Sequence, residues 1–550
     1  MFILVSLIVA LYSAPLLVRL LLVSTVLVVL FYKYRAGYWK RRGVSGPKSR
    51  IFTGHIPEIY DGSRHMATRL RDWTQEYGSV YGIQQGFKNI LVTSDLQMIE
   101  ELFVKKWLFF QSTFFIFRFR FDCFYGRKLN TLAPHPEKDD TVNTFSARGI
   151  RWKRLRNLTS PSFSTQSLKA TFPVVADSIE SFVGRLESRA GTGEEFNIHP
   201  IFQQLTLDVI LRIAFGQKES EIGEHEDVLK AAKAVFARDG VTGIAKLGDV
   251  VPALRPVIRG GLKLSSSFTN LPINFLVRHL EAIVNQRKED RASGAHDPKT
   301  EMDFIDTFLD AETNEEIGDR FGDLEQMPKV QKKLHAGEIV SQCVLFLLAG
   351  YDTTANTLAF AAHSLALNPD VQKKVQEEID DVCPDSEVSY GQLNRLRYLD
   401  AVCKESLRMY PIAANASARL CMRDTTLGEV KIKKGEYVQA DILSVHFSKE
   451  IWGEDAEEFN PARWEDEMKR SNLAWLPFGA GPRICAGQRL ALMEEKLALV
   501  HLMKRFSLRR TLNTQASGRG CRKRLHISGK ARTRRHFRSS TEGSTCEAGA

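Results

Sequence analysis

The chain predicts a mostly α fold with small β regions, an α+β arrangement, on three observations. An apolar run over Ala336–Leu367 is long enough for one helix of about 45 Å at ~1.5 Å per residue. Between residues 170 and 330, amphipathic helical periodicity alternates with charged connections. Strand-like alternation is confined to short stretches within 79–94 and 416–448, which marks a few strands around turns. At 550 residues and 43% hydrophobic composition the chain can bury a large core in one or two domains, so a large globular enzyme is the expected class.

The formal net charge of +11 is a local property. Arg509 to Arg538 holds eleven Lys and Arg and no acidic residue, which leaves the rest of the chain close to neutral. No nucleic-acid partner is therefore expected for the body. Eight cysteines, at 123, 343, 383, 403, 421, 485, 521 and 546, form no CxxC pair. That spacing excludes a zinc ribbon or thioredoxin-type site and suits reduced thiols in a chain facing the cytosol.

Taken in order, Phe2 to Tyr32 is almost wholly apolar, interrupted by Pro15 and Arg19, and Lys33, Arg35, Lys40, Arg41 and Arg42 follow. The run can span a bilayer, whereas a cleaved signal peptide would want a basic start and a small residue in place of Tyr12. A transmembrane anchor at 1–32 is expected, with the basic side and the body cytosolic. The Gly and Pro of 43–55 read as a stiff hinge within the segment 33–56. A helix near 64–77 and a hairpin at 79–94 come next. Eight phenylalanines between 109 and 124 alternate with Arg118 and Arg120, and read either as an aromatic loop or as an aggregation-prone strand.

In residues 147–164, Trp152 and Arg156 stand four apart and share a helix face, while Lys153 and Arg154 read as solvated. The long run at 336–367 contains LLAGYDTTA; Glu338, Asp352 and His363 interrupt it, so a buried central helix is a better account than a second span. There Gly350 offers room, and Asp352 and Thr353 offer a carboxylate and a hydroxyl that can relay protons. A hydroxyl bonded back to its own helix is the plainer reading of Thr353 alone. Glu405 and Arg408, at i and i+3 in KESLRMYP, and Arg463 in FNPARW make a charge group that could be a surface salt bridge.

The most informative stretch is Phe478–Gly487, FGAGPRICAG. Gly479, Gly481 and Gly487 suit positive φ and close approach to a flat cofactor. Arg483 places a cation near Cys485, and the helical run after Gly487 adds N-terminal amides; both favour a thiolate.

Phe478, Gly481, Arg483, Cys485 and Gly487 fit the signature Phe-x-x-Gly-x-Arg-x-Cys-x-Gly, so the chain resembles the cytochrome P-450 superfamily of haem-thiolate monooxygenases, in its animal microsomal, drug- and steroid-oxidising form. The resemblance implies that Cys485 is the axial thiolate of a haem b iron, and that Trp152, Arg156, Arg483 and Arg419 contact its propionates. By the same resemblance Asp352 and Thr353 deliver protons, and Glu405, Arg408 and Arg463 form a buried structural triad. Residues 112–123 read as an insertion within a catalytic domain at 57–508, and 509–550 as a basic, disordered tail that replaces the paired strands of the family. The implied reaction inserts one atom of O2 into a lipophilic substrate, with electrons from an NADPH-dependent flavoprotein reductase and cytochrome b5 as a further candidate. The expected place is the endoplasmic reticulum membrane. Two alternatives stay open: a reductase-independent haem-thiolate isomerase, and a silent relative impaired by the insertion and tail.

Overall fold

The computed structural model describes residues 15–61, 64–106, 126–127, 135–137, 139–190, 196–237, 242–268, 271–298, 303–315, 317, 331–465, 470–510 and 526–531. The insertion read at 112–123 lies outside them. Helix α1 (Leu16–Ala36) is long and apolar enough to cross a membrane and buries none of its residues. The segment expected to be a hinge is docked on the body. Arg35 donates through Nη2 to the Phe87 carbonyl at 2.8 Å, and the buried Trp39 indole donates to the Ile83 carbonyl at 2.9 Å. Two of its glycines serve close contact: a Cβ on Gly46 would strike the Gly82 carbonyl, and one on Gly54 the Gln84 carbonyl.

After α2 (Met66–Tyr77), strands β1 (Val80–Gln85) and β2 (Lys88–Thr93) form the expected hairpin, with Val80 opposite Thr93 and Gln85 opposite Lys88. They open a five-stranded sheet in the order β1-β2-β8-β5-β3, where β3 is Gly126–Arg127, β5 is Arg419–Leu420 and β8 is Tyr437–Ala440. The β2–β8 pairing is parallel and the others are antiparallel. This sheet brings Arg127 directly opposite Arg419.

The helical body follows as α3 (Gly149–Thr159), α4 (Thr165–Ala190), α5 (His199–Phe215), α6 (Glu226–Ala237), α7 (Thr242–Val250), α8 (Arg255–Phe268), α9 (Pro272–Ser293) and α10 (Phe304–Leu309). Helix α11 is the long run itself, Ala336–Leu367, and more than half of its most apolar span-length window is buried in protein, so it is a core helix. Then come α12 (Pro369–Val382), α13 (Arg397–Met409) and α14 (Gln488–Arg505). One large core joins α4, α5, α11, α12 and α14 around buried Leu, Ile, Val and Phe. Helix α5 crosses α11 at Gly350, where an added Cβ would stand 2.9 Å from Ile210 Cδ1. The room that Gly350 offers is thus taken on this side by Ile210, in close helix packing.

The tail departs from expectation in part. Residues 526–531, inside the stretch expected to be disordered, form β10 (His526–Ala531), antiparallel to β9 (Phe506–Arg510) and to β4 (Phe196–Asn197). The short alternation HISGKA pairs because β9 and β4 offer it a ready edge, a stabilisation that composition does not register.

Candidate active site

The loop 478–487 is shaped by its neighbours as much as by its own sequence. Gly479 and Gly481 adopt φ of 73° and 69°, a region in which side chains are strained. At Gly481 a Cβ would also collide with the Phe103 carbonyl, so this glycine seats the loop on the segment Glu101–Lys105. Gly487, by contrast, has φ −85° and caps α14. Its expected positive φ is not needed, and its missing Cβ leaves van der Waals room beside Phe163. The Cys485 amide donates to the Phe478 carbonyl at 3.0 Å, closing the turn.

Cys485 keeps an exposed surface within otherwise close surroundings. Burial pushes its thiol up, against amides of Gly487 and Gln488 and the guanidiniums of Arg156 and Arg127. Arg156 and Arg127, which the sequence did not single out for this effect, are the cations that lower it most. Arg483 instead donates through Nη2 to the Ala147 carbonyl at 2.6 Å and lies 4.8 Å over the Trp152 ring.

The structure gathers guanidiniums here. Arg127, Arg419, Arg148 and Arg156 all act on Arg483, whose pKa is held well below normal by burial and then by these like charges. Arg419 is likewise depressed by burial and by Arg127, and Arg127 falls to about 10 through burial, against the pull of Cys485. Arg419 is buried and spends Nη1 on the Ser417 and Ala418 carbonyls. Buried like charges call for an anionic partner. A haem, with two carboxylates and an iron open to a thiolate, fits this donor set. Arg127 and Arg148 were missed from the sequence; Arg127 stands in the FYGRKL stretch, and only its sheet pairing with Arg419 reveals its place.

Trp152 and Arg156 lie on α3, the first buried and the second partly so. Of the two residues expected to be solvated, Lys153 is partly exposed but Arg154 is not. Arg154 is buried and grips Glu338 with two bonds, Nη2 to Oε1 at 2.8 Å and Nη1 to Oε2 at 2.9 Å; Arg151 Nε adds a third at 2.8 Å. Burial alone would raise the Glu338 carboxyl, but these guanidiniums hold it below its ordinary range. The clamp fastens the helix bearing Trp152 and Arg156 to the start of α11.

On α11 the Thr353 hydroxyl donates to the Ala349 carbonyl at 2.5 Å, the plain helical reading. The Asp352 carboxylate accepts from Gln203 Nε2 at 3.4 Å, and His199 and Lys233 lie within its field. Glu405, Arg408 and Arg463 meet in the interior rather than at the surface. Arg408 donates to both Glu405 oxygens at 2.8 and 2.9 Å, and Arg463 Nε donates to Oε1 at 2.8 Å. The Asn460 amide and the Trp464 indole complete the carboxylate's partners.

The family model described as Cytochrome P450 matches residues 44–517. Among curated proteins of Caenorhabditis elegans, the chain is similar to cytochrome P450 cyp-13B1, 39% identical over 497 residues, covering 88% of this chain and 93% of that one. It is also similar to CYP13A5 and CYP13A3, 37% and 39% identical over 499 and 495 residues, in each case covering 88% of this chain and 92% of the relative.

Proposed function

The chain belongs to the cytochrome P450 family, and from that premise we propose which residues carry a haem-thiolate monooxygenase reaction, and on what substrate class. The family fixes the general chemistry: haem iron ligated by cysteine, O2, a small-molecule substrate and electrons from a redox partner. When bound, the haem supplies oxygen activation, one atom entering the substrate and the other leaving as water at the expense of two electrons and two protons.

Cys485 is the ligand in this reading. Its accessible sulfur inside an enclosure, flanked by Arg156 and Arg127, is the observation that carries it. Arg156, Arg419, Arg483 and Trp152, joined by Arg127, hold the propionates and thereby orient the plane. Phe478, Gly481 and Gly487 keep the loop in the shape that presents the sulfur. Thr353 and Asp352 hold the protons: the carboxylate takes them from the side of His199 and Lys233, and the hydroxyl, released from Ala349, passes them on. Glu405, Arg408 and Arg463 lock the chain ahead of the loop.

The electron donor is an NADPH-dependent flavoprotein reductase, with cytochrome b5 as a second donor, because the sequence carries no GxGxxG nucleotide fingerprint of its own. The substrate is lipophilic. The apolar helix α1 and the basic residues after it support an anchor in the endoplasmic reticulum membrane with the catalytic body at 57–508 on the cytosolic face. The β9–β10 pair supplies strands whose absence would have favoured a silent relative. Full-length protein in membranes, given reductase and NADPH, tests this reading: lipophilic compounds should raise NADPH consumption with formation of oxygenated product. Product formation without reductase would favour the isomerase, and no haem uptake would favour the silent relative.

A further inference from the structure

His446 ends the short helix Ile442–His446 and is fully buried, between the charge triad and the cysteine loop. Its Nε2 lies 2.8 Å from the Leu476 backbone nitrogen. An amide can only donate, so Nε2 must be the accepting nitrogen and the proton must sit on Nδ1. That Nδ1 is 2.9 Å from the Arg408 carbonyl, which can only accept. The two contacts fix one tautomer, neutral, and burial keeps it so, holding the imidazole pKa down to about 3. Arg408 is the charged group facing it, and Arg408 Nη1 in turn donates to the His446 carbonyl at 2.6 Å.

Leu476 is itself fully buried, and its carbonyl accepts from the Gly479 amide at 3.0 Å. Two residues on, the Phe478 carbonyl accepts from the Cys485 amide. An unbroken series of contacts thus runs from Glu405 through Arg408, His446 and Leu476 into the turn that presents the sulfur. We propose that His446 is a positioning residue for the cysteine loop, coupling the buried Glu405–Arg408–Arg463 group to the thiolate through the Leu476 amide. This rests on the reading of Cys485 as the iron ligand. An imidazolium has no acceptor, so protonation or removal of His446 orphans the Leu476 amide and frees the loop entrance; the thiolate then leaves the iron while the triad remains.

The test uses the full chain in membranes, read by the reduced, carbon-monoxide-bound spectrum, which separates thiolate-ligated from other haem. His446→Ala should convert from the thiolate form to the other form roughly tenfold faster than the parent chain, given the cost of one orphaned buried amide. His446→Gln, which can return an acceptor to Leu476, should regain much of the difference. His363→Ala is the control. That histidine is also buried, but neither of its ring nitrogens has a hydrogen-bond partner among the described residues, so its loss should lower the melting temperature and leave the ligation ratio alone. If His446→Ala folds poorly, acidifying the parent chain asks the same question: the thiolate form should be lost progressively as pH falls from the ordinary imidazole range toward about 3, and His446→Gln should lack that loss. A parent chain with the thiolate band, and a His446→Ala chain that keeps it as long, would overturn the inference alone. A parent chain with no thiolate band would overturn the reading of Cys485 and the inference with it.

Discussion

Replacing Glu338 with alanine removes four hydrogen bonds from a side chain with no exposed surface: three from Arg151 and Arg154 and one from the His335 amide at 3.1 Å. It leaves two guanidiniums buried at 3% and 1% exposure with their shared carboxylate gone. Breaking a buried pair from one side typically costs about 3–5 kcal/mol, because the remaining charge stays desolvated. Glu338→Ala should therefore unfold far faster than the parent chain. Arg154→Ala should do the same, and the double variant should fall short of the sum by at least about 2 kcal/mol. The cycle is measured by unfolding kinetics in denaturant, since a large chain with a cofactor seldom unfolds reversibly. A Glu338→Ala cost below about 1 kcal/mol, or strict additivity, would refute the clamp. The pH dependence has a fixed sign. A carboxyl held below its ordinary value stabilises the fold fully above that value, and loses this contribution as pH falls from about 4.5 through the depressed folded pKa. Glu338→Gln should lack that acid limb.

Gly481→Ala faces both positive φ and the Phe103 carbonyl, so about 2–3 kcal/mol of strain should reduce haem content per chain; Gly479→Ala, with open space around it, should cost only about 1 kcal/mol. Glu405→Ala leaves Arg408 without its carboxylate in the interior and Arg463 with Asp455 alone, and haem-loaded protein should fall to a small fraction of the parent yield in a spectral assay. Asp352→Asn and Thr353→Ala should each slow product formation by about a hundredfold, the usual scale of a positioned proton donor, while NADPH is still consumed and reduced oxygen accumulates. Unchanged product per NADPH would count against the assignment.

Local signals made most of the candidate site legible in the sequence. The cysteine loop, the Asp352–Thr353 pair, Glu405 with Arg408, and Trp152 with Arg156 each lie within a few residues, where a turn or a helix repeat dictates proximity. What failed to show depended on distant partners. Arg154 looks like a solvated cation until α11 brings Glu338 against it from 184 residues away. Arg127 becomes part of the basic cluster only when β3 pairs with β5, and His446 gains meaning only between Arg408 and Leu476. At Gly350 the space of the missing side chain is filled by Ile210, and Gly487 needs no positive φ, because sequence shows a missing side chain but not what stands beside it. The tail misled for a related cause: basic composition hid a six-residue strand whose partners lie elsewhere in the chain.

X-ray absorption at the iron edge of the purified, haem-loaded chain probes the iron–sulfur bond itself. The fine structure should contain one sulfur scatterer in the first shell of the parent protein and none in Cys485→Ser. A first shell of nitrogen and oxygen alone in the parent, or a sulfur that persists in the serine variant, would contradict the assignment of Cys485 as the ligand.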